Sequence, residues 1–199
     1  MTNFLKLAAT SAIALSLAAC ATYSSEDTNV TTESTMMKPE GVMFGGAMMF
    51  PDKTIVENAS AADNLTTLVA LVKQAQLVET LSGPGPFTVF APTDEAFSYV
   101  PSDKTDALMQ DENRAMLQYV LKYHVVPGTI TSTDLVAAIE ANGGAYSATT
   151  VAGEPLRFRI IGDDVRVLDA KGNLATVTAA DVMQSNGVVH VVNSVLMPQ

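Results

Sequence analysis

Two histidines, a lone cysteine and ten methionines are the residues of this 199-residue sequence with the most chemistry to offer. His124 stands in Tyr123-His124-Val125-Val126-Pro127-Gly128, and His190 sits among Val188, Val189, Val191 and Val192. A histidine pair can hold a metal or act as a base, but only with partners. Neither motif carries a nucleophile or a carboxylate at ligand spacing, and no serine occupies a Gly-x-Ser-x-Gly elbow. A glycine-rich phosphate loop and a zinc signature are missing as well. The expectation is therefore no enzyme, no catalytic residue, no metal and no cofactor. Both histidines are read as structural and hydrogen-bonded, because an unpaired polar group in a core costs about 1–3 kcal/mol. Five methionines (Met36, Met37, Met43, Met48, Met49) crowd into fourteen residues. Soft thioethers bind Cu(I), but no histidine or cysteine joins them, so apolar packing of Met48, Met49 and Phe50 is the simpler expectation.

Cys20 has a different logic. It follows Met1–Lys6, a weakly basic start, and Leu7–Ala19, 13 residues without a charge. That run is too short for a bilayer span of about 20 residues but suits a signal-peptide core. The quartet Leu17-Ala18-Ala19-Cys20 resembles a bacterial lipobox, in which the cysteine is lipidated and becomes the first mature residue. Several acyl chains at about 0.8 kcal/mol per buried methylene anchor stably. The next residue, Ala21, lacks the aspartate that tends to retain such proteins at the inner membrane, which implies the outer membrane. Residues 1–19 are thus read as signal and 20–50 as a lipid-attached flexible tether, Ser/Thr-rich and acidic, with methionines at its end. Residues 51–199 are read as one domain. The formal charge of −10, sharpening to −11 without Lys6, argues against nucleic acid, whose binding needs clustered cations.

The elements that must position these residues alternate early and settle late. Asn64 precedes Leu65, Leu68, Val69 and Val72, a helical stripe with a plausible cap. Phe87–Ala91 reads as a buried strand, and Thr93 as a cap with Asp94 and Glu95 in its first turn. Leu117, Val120 and Leu121 form a stripe that His124 extends towards the core. Another helix runs around Asp134–Ala141 and stops at Asn142-Gly143-Gly144. After it, Leu156–Ile160, Val165–Val167, Leu174–Thr178 and Val188–Val192 read as strands. Helices early and strands late predict an α+β fold with a largely antiparallel sheet. Arg157, Arg159 and Arg166 are expected on one exposed face. They either dock an anionic partner or, more simply, form a solvated face balanced by Asp163, Asp164 and Asp169.

Three segments resemble one family, the fasciclin-like domain. They are Gly85–Phe97 (GPFTVFAPTDEAF), Tyr123–Gly128 (YHVVPG) and Asn186–Pro198 (NGVVHVVNSVLMP), in the expected order and covering about Thr54–Pro198. The resemblance implies a wedge-shaped β-sandwich with flanking helices and a noncatalytic adhesion or protein-interaction role. Its tyrosine–histidine motif is implicated in partner recognition in animal relatives. Carried over, this gives Tyr123 and His124 with Leu121, Val125 and Val126 as interaction residues. Asn193 stands where the family often has aspartate, which puts a salt bridge in question rather than the fold. The expected partners are an envelope, matrix or cell-surface protein, plus the membrane through Cys20. The alternative is a binder of a small apolar ligand such as a carotenoid or lipid.

Overall fold

Threonines open three of the helices. Thr54 and Glu57 form a reciprocal capping box, the Thr54 N–H donating to Glu57 Oε2 at 2.8 Å and the Glu57 N–H to Thr54 Oγ1 at 3.4 Å. Thr131 and Asp134 repeat it, and Thr93 Oγ1 accepts the Ala96 N–H at 3.3 Å. The computed structural model describes residues 40–199. The proposed signal, Cys20, Met36 and Met37 lie outside the described residues. In chain order the elements are β1 (Val42–Phe44), β2 (Ala47–Met49), α1 (Ile55–Ala61), α2 (Thr66–Gln74), α3 (Val78–Ser82), β3 (Phe87–Pro92), α4 (Asp94–Ser98) and α5 (Ser102–Leu108). Then come α6 (Arg114–Tyr123), β4 (Val125–Pro127), α7 (Ser132–Ala141), β5 (Tyr146–Thr149), β6 (Pro155–Ile161), β7 (Asp164–Leu168), β8 (Leu174–Gln184) and β9 (Gly187–Val192).

The folded region starts earlier than residue 51. Val42–Met49, expected at the end of the tether, is a hairpin whose two turn residues, Gly45 and Gly46, both have positive φ (59° and 79°). Glycine adopts that conformation without steric cost, which makes Gly-Gly a natural two-residue hairpin turn. Gly45 O accepts the Asp63 N–H at 2.8 Å, seating the turn on the α1–α2 junction. Met43 and Met48 are register partners facing out, whereas Met49 is buried. Behind the hairpin, Asn58 accepts from the Phe50 N–H at 3.1 Å and donates to Phe50 O at 2.7 Å and to the Gln184 side chain.

Seven strands form one sheet in the order β4-β3-β9-β8-β7-β6-β5. Every pairing is antiparallel except β3–β9, which runs parallel with Phe90 opposite His190. At the β3–β9 junction a Cβ on Gly187 would overlap the Phe87 carbonyl, so only glycine permits the close approach. The eleven-residue β8 pairs with β7 through its first part and with β9 through its second, with register shifts around Ala179. Such irregularities bend a strand, and here they fold one sheet into two packed halves. Val151 donates to Val125 O at 2.8 Å, bringing the far end of the sheet back beside β4.

The β3–β9 pair separates two apolar cores. Val89, Ala91, Val189 and Val191 point to one side, where α1, α2, α3 and α6 pack with Ile55, Leu68, Leu71, Val72, Leu117 and Leu121. Phe90 and Val192 point to the other, meeting Tyr123, Leu135, Ile139, Leu156, Phe158 and Val167. Alternation along two adjacent strands is enough to assign every side chain to its core.

Candidate functional site

The Tyr123-His124 segment lies where α6 ends and β4 begins. Tyr123 closes α6 and is fully buried, and His124 is its C-terminal cap residue, 3% exposed. The Leu196 N–H donates to His124 Nε2 at 3.0 Å, so the ring proton sits on Nδ1, which donates to Val120 O at 2.8 Å. Burial pushes the His124 pKa down to about 4, against the raising effects of the Val120 carbonyl and Asp169. The imidazole is neutral and its two nitrogens are both engaged. Tyr123 donates to Pro155 O at 3.2 Å, and burial, with the charges of Asp169 and Glu154, pushes its phenol up to about 12. Leu121, Val125 and Val126 are buried as well. All five side chains thus lie in the interior at the α6–β4 corner, so any role they have in partner contact acts through the surface they support.

His190 is the mirror case. Its Nε2–H donates to Ile130 O at 2.7 Å, and Nδ1 accepts the Asp181 N–H at 3.4 Å. The ring stacks on Phe90 with centroids 5.4 Å apart, and burial holds its pKa below the usual imidazole value. The two histidines thus carry opposite tautomers on opposite sides of one strand pair. Phe90 links them, its ring stacking on His190 and its N–H donating to His124 O at 2.9 Å, and neither ring is aimed at solvent.

Three polar residues do more than their local sequence announces. Asp94, read as a charge suited to its own helix, also accepts from Thr66 N at 3.2 Å, Thr66 Oγ1 at 2.7 Å and Thr67 N at 2.8 Å. It caps α2 from another element, in place of Asn64, and Leu65 occupies the cap position without a side-chain bond. Burial works to raise the Asp94 pKa, but these hydrogen bonds outweigh it and hold the carboxyl below its ordinary value. Asn186 accepts from Ile55 N at 3.0 Å and donates to Leu81 O and Gly83 O at 2.7 and 3.1 Å, binding the start of α1 to the end of α3. Asp169, expected to balance the arginines, is buried. It accepts from Lys171 N, Asn173 N and Met197 N at 2.7–3.0 Å, organising a turn instead. The Asn193 side chain accepts the Thr176 N–H at 2.8 Å, a task that needs an acceptor and no charge.

Two small apolar voids flank His124. One, of about 40 Å³, lies towards Ile55, Leu68 and Val72, and the other, of about 20 Å³, towards Leu117 and Val195. Neither approaches the 300–1,000 Å³ of ordinary ligand sites. An open groove of about 620 Å³ does, running between Tyr99–Leu108, Met116 and the C-terminal Ser194–Gln199 segment, with Lys104 and Lys171 on its rim. Tyr99 is 73% exposed and Met116 56%. Across the molecule, Arg157 and Arg159 on β6 and Arg166 on β7 emerge on one sheet face, as expected from the alternation.

Comparison with known proteins agrees with this architecture. The family model described as "Fasciclin domain" matches residues 63–198. Protein sll1483 of Synechocystis sp. is 44% identical over 145 residues, covering 73% of each chain. Immunogenic protein MPB70 of Mycobacterium bovis is 37% identical over 145 residues, covering 70% of this chain and 66% of its own. Among solved structures, a FAS1 domain pair from the insect cell adhesion molecule fasciclin I superposes with a TM-score of 0.66 at 17% identity, covering 79% of this chain and 57% of that one. That likeness carries the fold. With the family model spanning the two buried histidines and the strand pair between them, the chain belongs to the fasciclin-domain family.

Proposed function

We propose that the chain is an exported adhesion or protein-interaction module, lipid-anchored through Cys20 at the outer membrane of the bacterial cell envelope, on its periplasmic or its exterior face. Membership of the fasciclin-domain family is the observation that carries this reading, and the adhesion molecule in the solved fasciclin I structure gives the role its direction. The two histidines support a noncatalytic reading, since each is neutral, buried and committed to backbone groups. Among the described residues no helix is long and apolar enough to cross a membrane; in this reading Cys20 supplies the attachment. Tyr123, His124, Leu121, Val125 and Val126 serve the interaction by holding the α6–β4 corner in place.

Two measurements test the reading. Cys20→Ser should abolish acyl labelling and move the protein to the soluble fraction; an unchanged membrane fraction removes the anchor. The purified chain should bind an envelope, matrix or cell-surface component at micromolar concentration, and binding to none of them ends the adhesion reading. Storage of a carotenoid or lipid is a second reading favoured only by the 620 Å³ groove, and solvent extraction of native protein decides it.

A further inference from the structure

The outer face of β6 and β7 holds three of the chain's four arginines. Arg157 and Arg159 stand two residues apart on β6, so they leave the same face, while Leu156 and Phe158 fill the core. Arg166 on β7 is the register partner of Arg159. Like charges directly opposite each other weaken a sheet, so this pairing contributes nothing to folding. Among the described residues, Arg166 alone of the three makes an ion pair, with Asp164 Oδ2 at 3.5 Å, while Arg157 lines a surface hollow shared with Glu154 and Asp169. The Arg166 Nε is shielded from water and has no hydrogen-bond partner. Asp169, which the sequence offered as a counter-charge, is occupied in its own turn. The result is a positive patch on a molecule of net charge −10.

We propose that this face binds a linear acidic polysaccharide, whose carboxylate, sulfate or phosphate groups bridge Arg159 and Arg166 and continue onto Arg157. The inference rests on the interaction reading above and names the partner's chemistry. Guanidinium forks match such oxyanions in bidentate geometry. The strand spacing puts the Cα atoms of the three arginines within roughly 8 Å of one another, close enough for successive groups of one chain. Two observations select a polysaccharide over other polyanions. Strands β6 and β7 are paired on both sides, by β5 and β8, so an acidic peptide finds no free edge on which to add as a strand. A planar anionic membrane pressed on this face would also meet the exposed Asp163 and Asp164 of the β6–β7 turn and be repelled; a thin chain crosses only the patch. Ser147, opposite Arg157, and Thr176, opposite Arg166, add hydroxyls suited to sugar oxygens.

The test uses the full chain with polygalacturonate, neutral dextran, poly-glutamate and phosphatidylglycerol vesicles as probes. The chain is compared with an Arg159→Gln/Arg166→Gln variant and a Lys104→Gln/Lys171→Gln control. Both arginines leave the solvent face, and their removal relieves a repulsion, so unchanged thermal unfolding confirms an intact fold. The expected result is polygalacturonate binding that weakens with salt and falls about tenfold or more in the arginine variant, the equivalent of a single charge-assisted contact. Dextran should not bind, and the lysine control should match the parent. Absence of polygalacturonate binding, or equal loss in the lysine control, overturns the inference. Tighter arginine-dependent binding of vesicles or poly-glutamate also overturns it, in favour of a bilayer or an acidic protein. Cell attachment measured on the parent chain separates the two claims: attachment without polysaccharide binding removes only this inference, and the loss of both removes the interaction reading too.

Discussion

The two cores on either side of β3–β9 are built on different principles. The sheet-side core is organised by rings: Phe90 lies 5.3 Å from Phe158, which lies 6.0 Å from Tyr146, and His190 stacks on Phe90. The helix-side core is aliphatic in its buried residues, with Phe44, Phe87 and Phe97 only partly buried at its margin, and it holds the two small voids around His124. Aromatic packing has a narrow set of good geometries, whereas branched aliphatic chains on several short helices can shift slightly and leave slack. The difference teaches where this domain tolerates change. One strand pair serves a stiff core on one face and an accommodating one on the other.

The hardest blow to the comparison should come from Phe158→Ala. Phe158 is fully buried at the centre of the ring cluster, and its truncation should cost about 3–5 kcal/mol in urea unfolding. A loss below about 1 kcal/mol would mean that the rings do not organise that side. Next in size is the pH response. His124 has a pKa near 4 in the fold against 6.5 as its ordinary value. Below pH 6.5 the unfolded chain binds a proton that the folded chain refuses. Stability contributed by the neutral ring is therefore full at pH 7 and declines between about pH 6.5 and 4, by about 3 kcal/mol in the limit of an unrelaxed site. His190 acts in the same direction. Nitrogen NMR should show two neutral rings at pH 7 with opposite tautomers, Nδ1–H for His124 and Nε2–H for His190. A ring that titrates near 6.5 in the folded protein refutes the assignment for its side. The smallest effects make the most direct contrast. Val167→Ile in the sheet-side core should destabilise by about 1–3 kcal/mol through overpacking. Val72→Ile, which fills part of the larger void, should be neutral or gain about 0.5 kcal/mol. Equal melting shifts for both would erase the distinction.

What the sequence disclosed followed range of interaction. Thr93 was legible because a threonine and its helix lie three residues apart, and Leu156 and Phe158 because alternation is a local pattern. The hairpin at Val42–Met49 was present in the Gly45-Gly46 pair, but its methionines lack the β-branched signature and the segment read as tether. Strand β4, three residues long, is too short for any periodicity. The parallel β3–β9 pairing joins Phe87 to Gly187 across the whole domain, and nothing local records it. The same holds for Asp94 at the α2 terminus and Asn186 between two helices. The candidate site divides likewise. The stripe of Leu117, Val120 and Leu121 placed His124 in the core, but the acceptor role of its Nε2 depends on Leu196, 72 residues away. The signature identified Tyr123 and His124 as notable without distinguishing a surface epitope from a buried strut.

The Phe50–Asn58–Gln184 connection has a mechanical consequence. A pull on the chain preceding Glu40 meets β1 at its open end, where Val42 pairs with Met49, so the hairpin's bonds are loaded one after another as in unzipping. Beyond the hairpin, the load arrives at Phe50, held by both polar ends of Asn58, and passes through Gln184 into β8. Gln184 is the last residue of that strand and the register partner of Gly187, so the tension enters the sheet along the β8–β9 pair. The N-terminal root of the domain is thus a yielding segment in series with a clamp, and under drag the hairpin extends before the sheet is strained.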